Sequence, residues 1–412
     1  MLIKGVSARE VLDSRGMPTI SVRLETNAGN FFASVPSGTS TGKYEALELR
    51  DGGKRFLGNG VSKAIDHINK KIAEKINYLS PHQKEIDDLL LSLDGTKNKS
   101  KLGANALLAV SMAVCRAGAS EQGLTLYRYI QKLRGKKISE KITLPTPMLL
   151  VFEGGMHANK SCSFQELMIM PREGNFKEQL EKAAVVYQTT KRELEKNNYS
   201  SGVGLEGAFA SPFTDEEKLF SFLSQLIKKA GYGKTDFLYA LDIAASELKT
   251  GKNYLVNEKK LTKEALFAWY EKLIKKYSIT SIEDGFEQDD WKAWRELTAR
   301  MGNKLMIVGD DFLASNPARI TKAINEKAAN SLLLKINQIG TISEAIEAAR
   351  LAHAAGWNII VSHRSGETND DFISDFAVGV GAQYVKFGAV RGGERVAKYN
   401  RLLEIDEELT SL

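Results

Sequence analysis

The chain has few of the residues that crosslink a protein, bind soft metals or cross a membrane. Only two cysteines, Cys115 and Cys162, occur in 412 residues, and they lie far apart without metal-ligand spacing. Few thiols are typical of a reducing compartment. The longest mostly apolar segment, residues 104–114, is too short to cross a bilayer, and the stretch MLIKGVSARE contains no cleavable apolar run. We therefore expect a cytoplasmic protein that does not interact with membranes.

Long basic runs are also missing. The net charge of +6 is mild for this length, and no lysine- or arginine-rich stretch is interleaved with aromatic residues. Lysine pairs such as Lys70-Lys71 are typical of solvated helix faces. Binding to nucleic acid is disfavoured, whereas a local basic pocket for a small anionic substrate is not. The hydrophobic content of 43% and the charged content of 26% indicate an ordinary globular protein.

The periodicity of apolar residues divides the chain into two parts. Residues 1–34 alternate apolar and polar side chains, which predicts an antiparallel meander, and residues 60–131 follow a helical period. The charged segment 134–141 nearly lacks apolar anchors, so we expect a small α+β capping domain at 1–136 and a second domain at 137–412. Strand and helix patterns alternate throughout the second part, which predicts an α/β barrel.

A row of ionisable side chains marks the second part. Eight short apolar runs each end in one of them, at spacings of 23 to 41 residues, about one strand–helix unit. The parallel strands of a closed barrel all have their C-terminal ends at one mouth, and the active sites of barrel enzymes lie at that mouth. The row therefore predicts an active site. Its members are Glu166, Glu206, Asp242, Glu283, Asp310, Lys335, His363 and Lys386.

Three consecutive members of the row are carboxylates. Asp242, Glu283 and Asp310 would converge without cysteine or histidine, which predicts a hard oxygen site suited to Mg²⁺ more than to zinc. The alternative is that they are surface or helix-capping acids, the usual fate of Asp and Glu. Because each one follows an apolar strand, the metal site is favoured.

Other members suit proton transfer. Lys335 follows three leucines, where an idle lysine would be costly, although its side chain could also extend to solvent. Beside a cation and a second lysine its pKa would be lowered, which would make it a general base. Glu166 and Glu206 could form a paired-carboxylate acid, because two close like charges raise the pKa of one of them.

Anion-binding groups surround these residues in the sequence. His363-Arg364-Ser365 combines an imidazole, a guanidinium fork and a hydroxyl, a set that fits a phosphate or a carboxylate. His157 follows two glycines and is expected on a mobile loop. The segment 37–42, SGTSTG, could be a phosphate cradle or lid, or an ordinary Ser/Gly connection.

Over nearly its whole length, the sequence resembles those of the enolase family, whose activity is the dehydration of 2-phosphoglycerate. The matching segments occur in the same order. The resemblance rests on AREVLDSRGMPT, VPSGTSTGKYEALELRDGG, LGANALLAVSMAV, FQELMIMP, ALDIAASE, SIEDGFEQDDW, IVGDDFLASNP, LLLKINQIGT, VSHRSGETND and ERVAKYNRLLEI. It implies an enolase-like variant of the TIM-type (β/α)8 barrel behind the capping domain. It also implies a glycolytic hydro-lyase with two Mg²⁺ per active site, and a homodimer or larger homo-oligomer joined through the N-terminal domain, with Arg15 at the interface.

The resemblance further implies a role for each matching residue. The tighter Mg²⁺ would be held by Asp242, Glu283 and Asp310, and a second one with the help of Ser40. Lys335 would abstract the C2 proton, while Glu206 with Glu166 would assist departure of the C3 hydroxyl. The substrate would be bound by His157, Gln165, Glu166, His363, Arg364, Ser365 and Lys386, with Asp311 in a supporting position.

Several positions depart from the family pattern. Leu205-Glu206-Gly207-Ala208 replaces a usual Asp-Glu-Gly-Gly, and Glu153-Gly154-Gly155 replaces Asn-Gly-Gly. Gly285 occupies a position where the family usually has proline. In a segment that usually reads Lys-Thr-Gly-Ala-Pro, Phe387 replaces the threonine and Val390 replaces the proline. Two alternatives therefore stay open: a paralogue acting on another small phosphorylated or phosphonylated hydroxy acid, and a non-catalytic binding or scaffold protein.

Overall fold

A three-stranded meander opens the chain. The computed structural model describes residues 1–39, 42–159 and 161–411. The strands β1 (Ile3–Leu12), β2 (Pro18–Thr26) and β3 (Gly29–Ser34) pair antiparallel in the order β1-β2-β3, as predicted. Alternation along β2 turns Ile20, Val22 and Leu24 inward, where they are buried.

Helices cover the inner face of this sheet. A continuous helical run comprises α1 (Ser62–Asp66), a π-helical turn (His67–Ile72) and α2 (Ala73–Ile76), and it is followed by α3 (Gln83–Asp94), α4 (Ala104–Glu121) and α5 (Leu126–Leu133). A short 3₁₀ turn at Arg55–Gly58 precedes them. Almost every residue of the alanine-rich α4 is buried, because it packs against the meander on one side and against the second domain on the other.

The second domain is a barrel. The strands are β4 (Thr146–Pro147), β5 (Leu149–Glu153), β6 (Glu166–Pro171), β7 (Phe209–Ala210), β8 (Phe237–Asp242), β9 (Lys249–Thr250), β10 (Asn253–Val256), β11 (Lys259–Leu261), β12 (Ile279–Glu283), β13 (Met306–Gly309), β14 (Ser331–Leu334), β15 (Asn358–Ser362) and β16 (Tyr384–Lys386). Strands β9 to β11 form a separate antiparallel sheet. The others follow the order β4-β16-β15-β14-β13-β12-β8-β6-β5-β7.

Closure of the barrel comes from one stretch of chain, residues 146–153. Its first half pairs with β16, where the Met148 N–H donates to Val385 O at 2.8 Å and the Leu150 N–H donates to Gly388 O at 3.3 Å. Its second half, β5, pairs with β6. Because the same stretch joins both ends of the sheet, the sheet closes on itself.

The helices of the barrel are α6 (Phe176–Lys196), α7 (Glu216–Lys229), α8 (Ala245–Leu248), α9 (Lys263–Lys276), α10 (Trp291–Met301), α11 (Pro317–Glu326), α12 (Ile336–Ile339), α13 (Ile342–Ala354), α14 (Phe372–Val380) and α15 (Gly393–Thr410). Several begin at a polar cap. Asn175 and Glu178, for example, form a reciprocal capping box at α6. Over the described part of the chain, no helix combines the length and apolar character needed to cross a membrane.

One strand runs against the others, and here the prediction of parallel strands is wrong. Strand β6 is antiparallel to both β5 and β8. It therefore begins at the mouth of the barrel, and its first residue, Glu166, is the register partner of Asp242 at the end of β8. A short β5–β6 connection makes this possible, since antiparallel neighbours need no crossover helix.

The rest of the row follows the predicted pattern, with one exception. Six members end a parallel strand or directly follow one: Asp242, Glu283, Asp310, Lys335, His363 and Lys386. Glu206 instead lies in a turn before β7, so the expectation that it ends a strand is wrong. The α+β domain followed by a barrel is confirmed.

The first domain covers part of the mouth of the barrel. Ser37 forms an isolated antiparallel bridge with Gly366, and the Ala46 N–H donates to Gln338 O at 2.8 Å. Farther out, a partly buried ion pair joins Arg116 to Asp370 at 2.8 Å. These contacts hold the segment after β3 over the site.

Candidate active site

A cleft opens at the mouth of the barrel, and most of the predicted site residues line it. Glu283 lies just below the lining, and Ser40 is outside the described residues. The lining comprises Thr39, His157, Gln165, Glu166, Glu206, Asp242, Ala244, Ser246, Glu247, Asp284, Asp310, Asp311, Lys335, Ser362, His363, Arg364, Ser365 and Lys386.

The three predicted metal ligands end neighbouring strands and are buried. Strand register places Glu283 directly beside Asp242, and Asp310 follows the next strand along. Lys386 Nζ lies among them, 2.8 Å from Glu283 Oε1, 3.0 Å from Glu166 Oε2 and 3.4 Å from Asp242 Oδ2. Burial disfavours the ammonium, but the surrounding carboxylates outweigh it and raise the pKa of Lys386 well above its ordinary value.

The second lysine of the cleft is paired with a carboxylate. Lys335 Nζ lies 2.5 Å from Asp310 Oδ2, and Gln338 donates to the other oxygen of Asp310 at 2.8 Å. Burial lowers the pKa of Lys335, but the Asp310 charge outweighs it, and the pKa is raised. The lowering predicted for Lys335 beside a bound cation stays a prediction, since the nearest charge among the protein groups is the Asp310 carboxylate.

The donor set fits a hard divalent cation. The carboxylates of Asp242 and Glu283 share the ammonium of Lys386, and Asp310 pairs with Lys335, so these oxygens already face positive charge. A further carboxylate, Asp284, belongs to this region, and its two oxygens accept the N–H groups of Asp310 and Asp311, each at 2.9 Å. Carboxylate oxygens of Asp284, Asp310 and Asp311 lie within 4.8 Å of one another. Sequence reasoning gave Asp284 no role, although it directly follows Glu283.

Across the cleft, Glu206 is held by two histidines. His363 Nε2 lies 2.7 Å from Glu206 Oε2, and His157 Nδ1 lies 3.8 Å from Glu206 and 3.5 Å from Glu166. His157 lies in a 3₁₀ turn, Gly155–His157, and is buried. Burial would raise the pKa of Glu206, but both histidines outweigh it and lower that pKa well below its ordinary value. Burial, with a smaller contribution from the Glu206 charge, raises the pKa of Glu166 well above its ordinary value, so the two glutamates differ in proton affinity mainly through burial.

Arg395 fixes the tautomer of His363. Its Nη1 donates to His363 Nδ1 at 2.7 Å, so the ring proton lies on Nε2, which donates to Glu206. Burial lowers the pKa of His363 to about 3, which keeps the ring neutral. The same guanidinium donates to the carbonyls of Arg364 and Ser365, each at 2.6 Å. Sequence reasoning missed Arg395, although it lies in ERVAKYN, a segment that contributes to the resemblance.

Groups of the first domain meet the predicted anion-binding residues. Arg364 Nη1 donates to Glu45 Oε2 at 2.8 Å, and Ser365 Oγ lies 2.7 Å from Thr39 Oγ1. Arg15 Nη1 donates to Thr39 at 2.8 Å, so the residue predicted at an oligomer interface bonds within its own chain. Thr39 and Glu45 were not predicted individually, although Thr39 lies in the segment recognised as a cradle or lid.

Family models match nearly the whole chain. The N-terminal domain of enolase matches residues 3–130, and the C-terminal TIM barrel domain of enolase matches residues 141–412. The chain belongs to the enolase family. Membership confirms the resemblance and indicates a lyase-type enzyme that uses a divalent metal ion. The predicted boundary at residue 136 stays a prediction.

Two of the departures from the enolase pattern face away from the cleft. Phe387 is buried, and its ring packs against Tyr399 with centroids 5.8 Å apart. The carbonyl of Gly285 accepts a hydrogen bond from the buried Tyr270 hydroxyl at 2.6 Å, which anchors the chain just after Glu283. These two substitutions therefore adjust the core, whereas those at Glu153 and Leu205 lie around Glu206.

Proposed function

We propose that this protein is a Mg²⁺-dependent enolase that interconverts 2-phosphoglycerate and phosphoenolpyruvate. The observation that carries the proposal is that a lysine and a glutamate, Lys335 and Glu206, line the same cleft of an enolase-family barrel. In the sequence, the carboxylates of three successive strands lie between these two residues. A β-elimination from a hydroxy acid needs this pair: a base for the proton at C2 and an acid for the hydroxyl at C3.

Lys335 is the proposed base. Its ammonium is paired with Asp310, and this contact favours the protonated form. Lys335 can therefore act as a base only when the Asp310 carboxylate binds another group. Held by Asp242, Glu283 and Asp310, Mg²⁺ would supply Lewis-acid stabilisation of negative charge on the substrate carboxylate and would engage Asp310 in place of the lysine. Ser40 belongs to the proposed set for a second Mg²⁺ on the resemblance alone.

Glu206, with Glu166, is the proposed acid. The His363 Nε2–H aims at Glu206, and His157 lies between the two glutamates, so a proton can be held close to either carboxylate. The high proton affinity of Glu166 supports its part in the pair. Departure of the hydroxyl group as water requires such a proton on the oxygen bonded to C3.

The remaining cationic and polar groups would bind the anionic ends of the substrate. Arg364 and Ser365 offer a guanidinium and a hydroxyl for the phosphate, with His363 behind them. Lys386, among the carboxylates, suits the substrate carboxylate, and Gln165 supports Asp242 through an Nε2–H donated to Oδ2 at 3.3 Å.

One assay tests the proposal. Purified protein is mixed with 2-phosphoglycerate and Mg²⁺, and the ultraviolet absorbance of the conjugated product is followed with and without a chelator. We expect a signal that the chelator abolishes and fresh Mg²⁺ restores. Folded, metal-loaded protein without any signal would overturn the proposal. Turnover of another phosphorylated or phosphonylated hydroxy acid in its place would favour the paralogue, whose basis is the altered surroundings of Glu206.

We also infer a homo-oligomer, at least a dimer, joined through the N-terminal domain. Large apolar side chains of that domain are exposed, with Leu12 59%, Phe32 56% and Leu57 85% accessible. Light scattering coupled to size-exclusion chromatography tests this, and a monomer would contradict it. Two buried free thiols, Cys115 and Cys162, support a cytoplasmic location.

A further inference from the structure

A buried carboxylate lies beneath the proposed acid. Glu153 ends β5 and has 0% exposure. Its two oxygens accept the backbone N–H of Glu206, each at 3.2 Å, and one of them accepts the N–H of Ala208 at 2.8 Å. The side chain therefore binds the main chain of the proposed acid itself, on the side away from the cleft.

The turn that Glu153 binds, residues 204–208, has little other support from regular structure. It lies outside any helix or longer strand. Main-chain bonds join the Gly204 N–H to Ala208 O at 2.9 Å and the Ala389 N–H to Glu206 O at 3.1 Å, and the N–H groups of Leu205 and Gly207 also donate to backbone carbonyls. Side chains bind two further carbonyls: Tyr187 Oη donates to Gly207 O at 2.6 Å, and Arg395 Nη2 donates to Leu205 O at 3.3 Å. Glu153 accepts the two N–H groups of the turn that these main-chain bonds leave, including that of Glu206 itself, so the orientation of Glu206 depends in part on it.

The turn is also shaped to admit this carboxylate. A side chain at Gly204 would collide with Glu153 Oε2, and its Cβ would lie 2.7 Å from His157 O. Glycine at 204 thus leaves the space that Glu153 fills. Leu205, next to Glu206 in the chain, offers no acceptor from its side chain, whereas Glu153 offers two from another strand.

We propose that Glu153 is a positioning residue for Glu206, fixing the backbone of the 204–208 turn so that the acid points at the departing hydroxyl. This inference rests on the proposed function. Glu153 does not face the cleft and does not touch the substrate. The charged or titratable groups around it are Glu206 of the turn, Arg395 of α15 and Tyr187 of α6.

The test separates the two halves of the reaction. Exchange of the C2 proton with solvent deuterium reports Lys335, and release of the C3 hydroxyl reports Glu206. We expect Glu153→Leu, which removes both acceptors, to lower the rate of dehydration about 100-fold, since small misplacements of catalytic groups have effects of that size. Deuterium exchange at C2 and the KM for 2-phosphoglycerate should stay within about threefold, because the base and the anion-binding groups are untouched.

Conservative variants and a matched control complete the design. Glu153→Gln keeps an oxygen for the two N–H groups and should retain dehydration within about threefold. If Glu153→Leu does not fold, Glu153→Asn decides: its shorter side chain withdraws the oxygen from the turn, and dehydration should fall about tenfold while exchange persists. The control is Glu216→Leu, which removes another buried glutamate with a raised pKa, one that is bonded to Asn257 and lies outside the cleft.

The outcomes distinguish the two proposals. If the unaltered protein does not convert 2-phosphoglycerate, the proposed function fails. If it does, the positioning role is overturned when Glu153→Leu, or Glu153→Asn where the leucine variant does not fold, slows exchange and dehydration equally or slows neither. The same split in Glu216→Leu would show that loss of any buried carboxylate suffices, and would also overturn it.

Discussion

The two sides of the barrel mouth are built in different ways. On one side, which we call the strand-end half, Asp242, Glu283, Asp310, Lys335 and Lys386 occupy the ends of parallel strands. On the other, the loop half, Glu206 and His157 lie in turns, and Glu166 begins the antiparallel β6. Barrel register fixes the position of the first set and of Glu166, whereas Glu206 depends on side-chain bonds to the main chain of its turn.

Charge is balanced differently on the two sides as well. In the strand-end half, carboxylates are balanced by the ammonium groups of Lys335 and Lys386. In the loop half, Glu206 is balanced by the Nε2–H of His363 and by nearby Arg395, while burial raises the pKa of Glu153 and favours its neutral form. In the proposed function, a metal ion would replace the first kind of balance, and the second would hold the proposed acid in one orientation.

Substitutions reflect this difference. Those of the strand-end half, such as Gly285 and Phe387, face the core and leave the charged row intact. Those of the loop half, Glu153, Leu205 and Ala208, surround the proposed acid directly. In the loop half, the departures from the enolase pattern therefore lie at residues that hold the main chain around the proposed acid.

Removing the base should have the largest effect. For Lys335→Ala we expect both C2 deuterium exchange and dehydration to fall about 10⁴-fold, the upper range for a general base, because no other group takes that proton. Mg²⁺ binding, measured by isothermal titration calorimetry, should persist, since the carboxylates remain. The exposed Lys304→Ala is the control and should keep full activity. Survival of exchange in Lys335→Ala would mean that the base is assigned to the wrong residue.

Removing the acid should affect one step only. Glu206→Gln should slow dehydration by about 10²–10³-fold, while C2 exchange continues at a rate near that of the unaltered protein. The reason is that Lys335 and the proposed metal ligands lie in the other half of the mouth. Equal loss of exchange and dehydration would show that the two halves do not act separately.

Sequence reasoning predicted the strand-end half better than the loop half for a physical reason. An apolar run that ends in Asp242 or Lys335 predicts both the strand and the charged residue that the strand places at the mouth. Nothing local shows that β6 runs antiparallel, because direction depends on pairing with β5 and β8. Likewise, the contact of Glu153 with Glu206 joins residues 53 positions apart through main-chain atoms, for which side-chain patterns give no signal.

The space at Gly204 gives a smaller test of the loop half. Gly204→Ala should lower the free energy of unfolding by about 1–3 kcal/mol, because the added Cβ collides with Glu153 and forces it from the turn. Gly202→Ala, two residues earlier, meets only Ser200 Oγ at 3.1 Å and should cost much less. Urea denaturation of both variants measures the difference. Equal costs would mean that Glu153 has room to move.

A further test of the loop half concerns the pH dependence of stability and leaves catalysis aside. Burial, with the Glu206 charge, raises the pKa of Glu153 from 4.5 to about 8. Between these values the unfolded chain has lost the proton that the folded protein keeps, so rising pH lowers the free energy of unfolding by up to about 1.4 kcal/mol per pH unit. Glu153→Gln has no such proton. Its stability relative to the unaltered protein should therefore increase from pH 5 to pH 8 and level off above, as measured by urea denaturation. Parallel curves of unfolding free energy against pH for the two proteins would mean that Glu153 is already ionised in the folded protein. Hydrogen bonds from the backbone N–H groups of the turn would then stabilise its charge.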